Sequence, residues 1–496
     1  MRLPVLALAA ICTTLGVAAR PVASQQPVAP SGNRLTLADA LTLARRSNPV
    51  LANATNARRT ASAQLRAANG AFLPNVSTGF GAGYREGRQT FFQGQGFGST
   101  NDQLSTDASA NASLNLSVAT FADRRSAQAG VEATEADIAA AEQRLRVDVT
   151  TQYLAALQAE ARAVLQDSLR ATTLVQLELA RARLQVGSGN QLEVQRAEVA
   201  DGQQRVAALN ARNTAEIEKV RLFQQIGVPP VLGATLDTEL ADLPTIALEQ
   251  LLDMARKANP QLEASRHRLD AARRNVASAR SSYFPSLSLS AGVSGFTNRF
   301  TDTDALIASG RASAVSARAS CIRTEEVRAA LGLQNGLAQC DNIAFTPASE
   351  AAIRAQQARY PFDFTRNPYN LSANFSLPVF NGFRREQQVE QASVQRRNAE
   401  TDVRAQELRI TAEVSTAYLS LTTAQQSVAL QEQNVRTART ALALAQERYR
   451  AGLTGLVELV QARGDYERAE TDRITAIYDV QRAFTALESA VGRPLR

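Results

Sequence analysis

Most of this chain is written twice, and that limits what it can fold into. Asn48-Pro49 returns as Asn259-Pro260, and Leu73-Pro74 returns as Phe284-Pro285, both displaced by 211 residues. Tyr153, Gly187 and Gly227 return as Tyr418, Gly452 and Gly492, all displaced by 265. The two displacements divide the chain into repeat 1 (35–229), a Pro-containing link (230–245) and repeat 2 (246–496), with a large insertion in the second copy. A duplicated unit of this size is one supersecondary assembly used twice, so each element found in one copy is expected in the other.

Within each copy the hydrophobic period changes. Val414, Leu421, Val428, Val435, Leu442 and Tyr449 recur every seven residues, followed three places later by Ala417, Ala424, Gln431, Ala438 and Ala445. That is a heptad seam with an alanine edge that admits a close neighbour. Long helices are predicted over Asp123–Val186 and Arg384–Ala451, each about 100 Å at ~1.5 Å per residue. Shorter helices are predicted over Pro49–Phe72, Gln191–Gln225, Pro260–Tyr283 and Leu456–Val491, stacked end to end beside the long ones. The last has its own apolar stripe, Ile477, Val480, Phe484, Leu487 and Val491. Thr36 and Asp39 cap a short helix running through Arg46.

Between the helices the period falls to two. Strands are predicted near 75–85 and 104–121 in repeat 1, and near 286–296 and 369–379 in repeat 2. Leu287, Leu289, Ala291 and Val293 alternate with Ser and Gly, and Leu371, Ala373, Phe375 and Leu377 alternate with Asn and Ser. Stretches of about ten residues with one apolar and one small polar face have the pattern of transmembrane barrel strands. The other reading is a half-buried strand of a soluble sheet. Four strands do not close a barrel. Copies must share: two give eight strands and a filled interior, three give twelve and room for a lumen. The Ser/Asn/Gly face favours three.

Residues 1–24 read as a signal peptide, with Val22-Ala-Ser24 as the cleavage site and Ala19 as the alternative. Ile11 before Cys12 argues against lipidation. Residues 25–34 form a flexible polar lead. No later stretch has the ~18–20 apolar residues of a spanning helix. Aromatics are 5% of the chain and Trp is absent, which suits Ala-rich helices. The net charge of +7 is almost all arginine, Lys occurring only at 219 and 257. The arginines are interleaved with Glu and Gln as on a solvated helical face, which argues against nucleic-acid binding. His267 has no His or Cys at ligand spacing, and no phosphate loop or nucleophile motif is present, so no catalytic residue, metal or cofactor is assigned.

The chain resembles the TolC family of outer-membrane efflux and export channels. The resemblance rests on Asn48-Pro-Val-Leu51 and Asn259-Pro-Gln-Leu262, on Leu73-Pro74 and Phe284-Pro285, on Phe375-Ser-Leu-Pro-Val-Phe-Asn-Gly382, and on the two hairpin tips. It implies a mixed fold: long α-helical hairpins with four transmembrane β-strands per protomer, and a homotrimer with a twelve-stranded barrel in the outer membrane over a periplasmic helical tube. It implies a passive channel fed by an inner-membrane transporter through a periplasmic adaptor. The adaptor docks at tips matched here by Val186-Gly187 and Ala451-Gly452. The family's gate tyrosine matches Tyr449, and its acidic rings match Glu193 and Glu458. Gln461 replaces a second acid and Thr454 replaces a gate arginine, so the ring charge is lower and the chain departs from the family's Tyr–Arg–Asp latch.

The insert 297–368 is expected to be extracellular, a folded lid over the outer mouth, with a capped helix from Thr346-Pro347. It holds Cys321 and Cys340, expected to form a disulfide in a secreted chain. Two other readings remain: an outlet for type I protein secretion, which shares the architecture, and a secreted periplasmic coiled-coil adaptor.

Overall fold

The structure, a computed structural model, describes residues 34–87, 89–92, 95–98, 101–238, 244, 246–334 and 336–495. The expected signal peptide with Cys12, residues 25–33 of the expected lead and part of the expected link lie outside these. In chain order the elements are β1 (Arg34–Leu35), α1 (Leu37–Ser47), α2 (Pro49–Gly70), β2 (Asn75–Arg85), β3 (Gln89–Phe92), β4 (Gln95–Gly98), β5 (Gln103–Ser117), α3 (Val118–Gln185) and α4 (Gln191–Ile226). There follow β6 (Thr235–Leu236), α5 (Leu248–Ala258), α6 (Pro260–Ser281), β7 (Ser286–Phe300), α7 (Thr303–Ala330), α8 (Leu337–Cys340), α9 (Pro347–Gln357), β8 (Thr365–Arg366), β9 (Asn370–Ser376), α10 (Arg384–Arg450) and α11 (Leu456–Val491). They group into two compact units, one of residues 34–59, 132–267 and 400–495, the other of 60–131 and 268–399. Each unit draws on both repeats.

The first unit is helical. The predicted seam of α10 is buried at Val414, Leu421, Val435, Leu442 and Tyr449. Its first part, Val414 and Leu421, packs with Leu251, Val480, Phe484, Leu487 and Val491 of α5 and α11. The matching core of repeat 1 joins Val149, Tyr153, Leu157, Leu165 and Leu169 of α3 to Leu222, Phe223 and Ile226 of α4. The repeated Asn-Pro pairs sit where helix meets helix. Asn48 Oδ1 accepts the N–H groups of Val50 (2.8 Å) and Leu51 (3.1 Å) and so caps α2. Its Nδ2 donates to the Gln225 carbonyl of α4 at 2.8 Å. Asn259 does the same for Gln261, Leu262 and, at 2.8 Å, the Ala490 carbonyl of α11. One side chain thus satisfies donors of a starting helix and an acceptor of an ending one. The ending helices stop at Gly227 (φ +89°) and Gly492 (φ +87°). A Cβ on Gly492 would lie 2.6 Å from Asn259 Cα, so both conformation and space demand glycine there.

The link is more than a connection. Its β6 pairs in parallel with β1, Leu35 opposite Leu236. Tyr153 anchors this ribbon: its hydroxyl lies 3.0 Å from the Leu35 carbonyl and 2.9 Å from that of Asp237, and accepts the Asp237 N–H. Burial pushes its pKa up to about 12.

The second unit holds an antiparallel sheet in the order β2-β5-β7, with β8 and β9 both beside β7. Its register places apolar positions on one face. Phe80, Ala108 and Gly295 form one row, and Leu116, Leu287 and Phe375 form another. The opposite face carries Ser77, Asn111, Ser113, Ser290, Ser372 and Asn374. β2 and β9 are open edges.

Several boundaries differ from the sequence reading. The strand expected to reach 121 stops at Ser117, because the Ser117 hydroxyl accepts the Thr120 N–H (3.2 Å) and starts α3 five residues earlier than predicted. β7 runs on to Phe300, since β5 offers a partner as far as Gln103. The strand near 369–379 is shorter, Asn370–Ser376, and Pro378 follows it. A β3–β4 hairpin and the 28-residue α7 have no counterpart in the reading. α7 is Ala-, Ser- and Arg-rich and lacks a clear apolar stripe. The helix from Thr346-Pro347 is α9, with a reciprocal capping box to Ser349. Cys321 and Cys340 are disulfide-bonded, Cα atoms 5.7 Å apart. Among the described residues no helix is long and apolar enough to cross a membrane.

Candidate functional site

The residues singled out from the sequence gather at two turns of the helical unit. α3 ends and α4 begins around Val186–Asn190, and α10 and α11 are joined by Ala451–Gly455. Gly187 (φ +74°) and Gly452 (φ +76°) both take the left-handed conformation, and a Cβ on either would meet nothing within 4 Å. Glycine is there for backbone freedom, not for space. Val186 and Leu453 are exposed at the tips. Asn190 caps α4 by accepting the Glu193 N–H at 2.9 Å, which places Glu193 in the first turn, where a carboxylate suits the helix dipole. Glu458 holds the same position in α11, with Gly455 as its uncapped start.

The two acids, equivalent in sequence, differ in partners. Glu458 pairs with Arg448 at 3.2 Å, both about half exposed. The repeat-1 counterpart of Arg448 is Arg183, and it does not pair with Glu193. Its guanidinium crosses to the other hairpin. Nη2 donates to the backbone carbonyls of Tyr449 and, at 2.8 Å, Arg450, and the group lies 4.4 Å from the Tyr449 ring centroid. A cation thus closes the C-terminus of α10, where the last carbonyls gather negative charge, and stacks on its last aromatic ring. Among the described residues Glu193 is left without an ion-pair partner.

Tyr449 is 1% exposed and packs among Leu177, Ala180, Val194, Leu442, Leu456 and Leu459. Its hydroxyl has no hydrogen-bond partner. Burial raises its pKa, the Glu193 charge adds to this, and Arg183 opposes it. Thr454 is half-buried with its hydroxyl also unpartnered. Gln461 is exposed on α11. Beside Tyr449 a groove of about 400 Å³ opens between α3, α10 and α11, lined in part by Thr172, Val175, Gln176 and Arg450.

Sequence reasoning singled out the tyrosine, the acids and the glycines and left out Arg183. The available signal was an arginine four residues before each tip glycine. What it did not reveal is that one reaches a local acid and the other a second hairpin. It also read the Asn-Pro pairs as helix starts only, missing the amide's bond to the preceding helix end. Among the described residues no cluster of His, Cys, Asp and Glu could hold a metal ion.

The profile of the outer membrane efflux protein family matches residues 40–228, 251–331 and 346–493. The chain is 23% identical over 373 residues to the outer membrane efflux protein BepC of Brucella suis biovar 1, covering 73% of this chain and 68% of that one. Its fold is similar to the outer membrane protein VceC of Vibrio cholerae, with TM-score 0.67 and 17% identity over 93% of this chain and 97% of that one. It is also similar to the MtrE outer membrane channel of Neisseria gonorrhoeae, with TM-score 0.65 and 17% identity over 95% of each. Long helical hairpins, an open amphipathic sheet and a profile match over most of the sequence agree: the chain belongs to the outer membrane efflux protein family, and its fold is that of the TolC-like outer-membrane channels.

Proposed function

We propose that this protein works as a homotrimeric, passive conduit in the outer membrane, with its helical part in the periplasm, receiving substrates from an inner-membrane transporter through a periplasmic adaptor. The observation that carries this reading is the sheet. Its two faces differ as lipid and water do, and its two edges, β2 and β9, are unpaired in a single copy. Open edges of that length recruit partners. Three copies supply twelve strands in β2-to-β9 contact, enough for an aqueous lumen lined by Ser and Asn.

In this assembly the tips are the periplasmic end. Val186-Gly187 and Ala451-Gly452 are the surfaces offered to the adaptor, and Glu193 and Glu458 form rings that favour cations. With Thr454 in place of a gate arginine, Arg183 on Tyr449 is the device that joins the two hairpins. No chemistry is assigned to the chain; the transporter supplies the energy. An outlet for protein secretion shares the architecture.

The test is the mass and membrane fraction of the protein made with its own leader and extracted in detergent. A trimer from the outer membrane that conducts ions in a planar bilayer is expected. A soluble monomer or dimer would remove the barrel and leave a hairpin-binding protein.

A further inference from the structure

The insert ends in a segment whose placement in the strand-bearing unit is unusual. Between α9 and β8 the chain crosses the apolar face of the sheet. The Thr106 hydroxyl donates to the Pro361 carbonyl at 2.6 Å. Phe362 and Phe364 each lie with ring centroids 6.4 Å from Phe80, which projects from that face. Gly295, in the same row, is glycine because a Cβ would come within 3.0 Å of Phe364 Cβ. Thr106 and Thr297, opposite each other one row further out, are 3% and 4% exposed beneath this segment.

The height of the apolar face shows why this matters. From the Leu116 row to the Ala108 row is eight residues. At about 3.4 Å per residue and a tilt near 40° that is roughly 20 Å, short of the ~25 Å apolar band of an outer-membrane barrel. Including the Thr106–Thr297 row brings it to about 26 Å on the same measures. That row is polar in sequence. It becomes apolar only because residues 361–364 cover its hydroxyls and present Phe362, 68% exposed, in their place. Tyr84, two rows beyond Phe80 on the same strand face, is 62% exposed, and Tyr369 is 71% exposed with the Arg366 guanidinium over its ring. Exposed aromatics with an arginine beside them suit a membrane–water interface.

We propose that Tyr360–Thr365 is a lipid-contacting collar: the return limb of the insert completes the outer-leaflet end of the hydrophobic band, with bilayer lipid as its partner. This rests on the outer-membrane reading, in which the apolar face meets lipid. The limb of the insert that rejoins the barrel is therefore part of its outer wall and not of a cover over the pore.

The chain contains no tryptophan, so Phe362→Trp and Leu289→Trp each create a single reporter. Both full-length variants are reconstituted in phosphatidylcholine vesicles with or without brominated acyl chains. Leu289→Trp reads the band one row in from its opposite end and tests the underlying reading. The expected result is that brominated lipid quenches Phe362→Trp about as strongly as Leu289→Trp, while aqueous iodide quenches neither well. Quenching of Leu289→Trp by lipid with Phe362→Trp reached only by iodide would overturn the collar and leave the barrel intact. Phe362→Trp reached by neither quencher would mean that a neighbouring copy covers it, and would also overturn the proposal. If lipid quenches neither, the membrane reading fails and the collar with it.

Discussion

Replacing Arg183 by alanine tests how the two hairpins are held together. The side chain gives α10 two charge-assisted contacts, to the Tyr449 and Arg450 carbonyls, and a cation–π contact at 4.4 Å. A hydrogen bond to a charged group is worth about 1.5–3 kcal/mol when buried. One half-buried nitrogen serves both carbonyls here, so about 1–1.5 kcal/mol is the discounted figure. The ring contact adds about 0.5–1 kcal/mol. The sum, about 2 kcal/mol, corresponds to roughly 30-fold in an equilibrium between joined and separated tips. Single-channel recording in planar bilayers reads this directly, as more frequent or larger openings of Arg183→Ala, with Arg183→Lys in between because it keeps charge but loses the planar fork. A thermal melt of the same protein separates loosened tips from general unfolding. Unchanged conductance in Arg183→Ala, together with an open channel in Tyr449→Phe, would refute the reasoning. It would place the latch on a phenolic hydroxyl that has no partner in this structure.

Tyr449→Phe is otherwise expected to change stability by less than about 0.5 kcal/mol, whereas Tyr449→Ala, which empties a packed aromatic site, should cost about 3–5 kcal/mol by denaturant titration. Glu193→Gln should reduce cation preference in reversal-potential measurements more than Glu458→Gln, because Arg448 already offsets the Glu458 charge. Asn259→Ala removes a cap and strands buried partners, for a loss of about 2–3 kcal/mol in the helical unit; Gly492→Ala, forced against Asn259, should be at least as damaging in the same melt. Burial works to raise the Glu470 carboxyl, but bonds from Arg473, Tyr466 and Arg439 outweigh it and hold its pKa below the usual range. A depressed carboxylate stabilises the fold above its unfolded pKa of ~4.3 and loses that contribution as pH falls through the lower folded value. Glu470→Gln should therefore flatten acid unfolding below about pH 4.5. Cys321→Ser with Cys340→Ser opens a loop closed over a separation of 19 residues, a loss of about 3 kcal/mol that limited proteolysis of α7 would reveal.

How far the fold could be read in advance depends on the range of the interactions involved. The long helices and their seams were legible because a heptad period repeats over many turns, and one misplaced residue does not hide it. The four strands were legible because a period of two, apolar against Ser and Asn, persists through each. The duplication fixed the equivalence of the tips, Gly187 with Gly452 and Glu193 with Glu458, without any knowledge of contacts. Element ends were less legible. Ser117 reads as one more polar strand position until its hydroxyl is seen to cap α3, and both roles suit a serine.

What only the tertiary structure decided are meetings between residues far apart in the chain that no period encodes. Arg183 and Arg448 are the same residue in the two repeats, yet one reaches its local acid and the other closes a helix end more than 260 residues away. The pseudo-symmetry breaks where Tyr449 offers a ring for the guanidinium and its counterpart Leu184 offers an aliphatic chain. The β1–β6 ribbon forms from two pairs of residues, too few to leave a pattern, and holds because Tyr153 satisfies its backbone groups. The insert's return limb lies on the apolar face because Phe362 and Phe364 find Phe80 there and Pro361 satisfies Thr106. Periodicity along the chain set which elements form and which of their faces are apolar. Long-range packing, through burial and hydrogen-bond satisfaction, set which of those faces and ends meet.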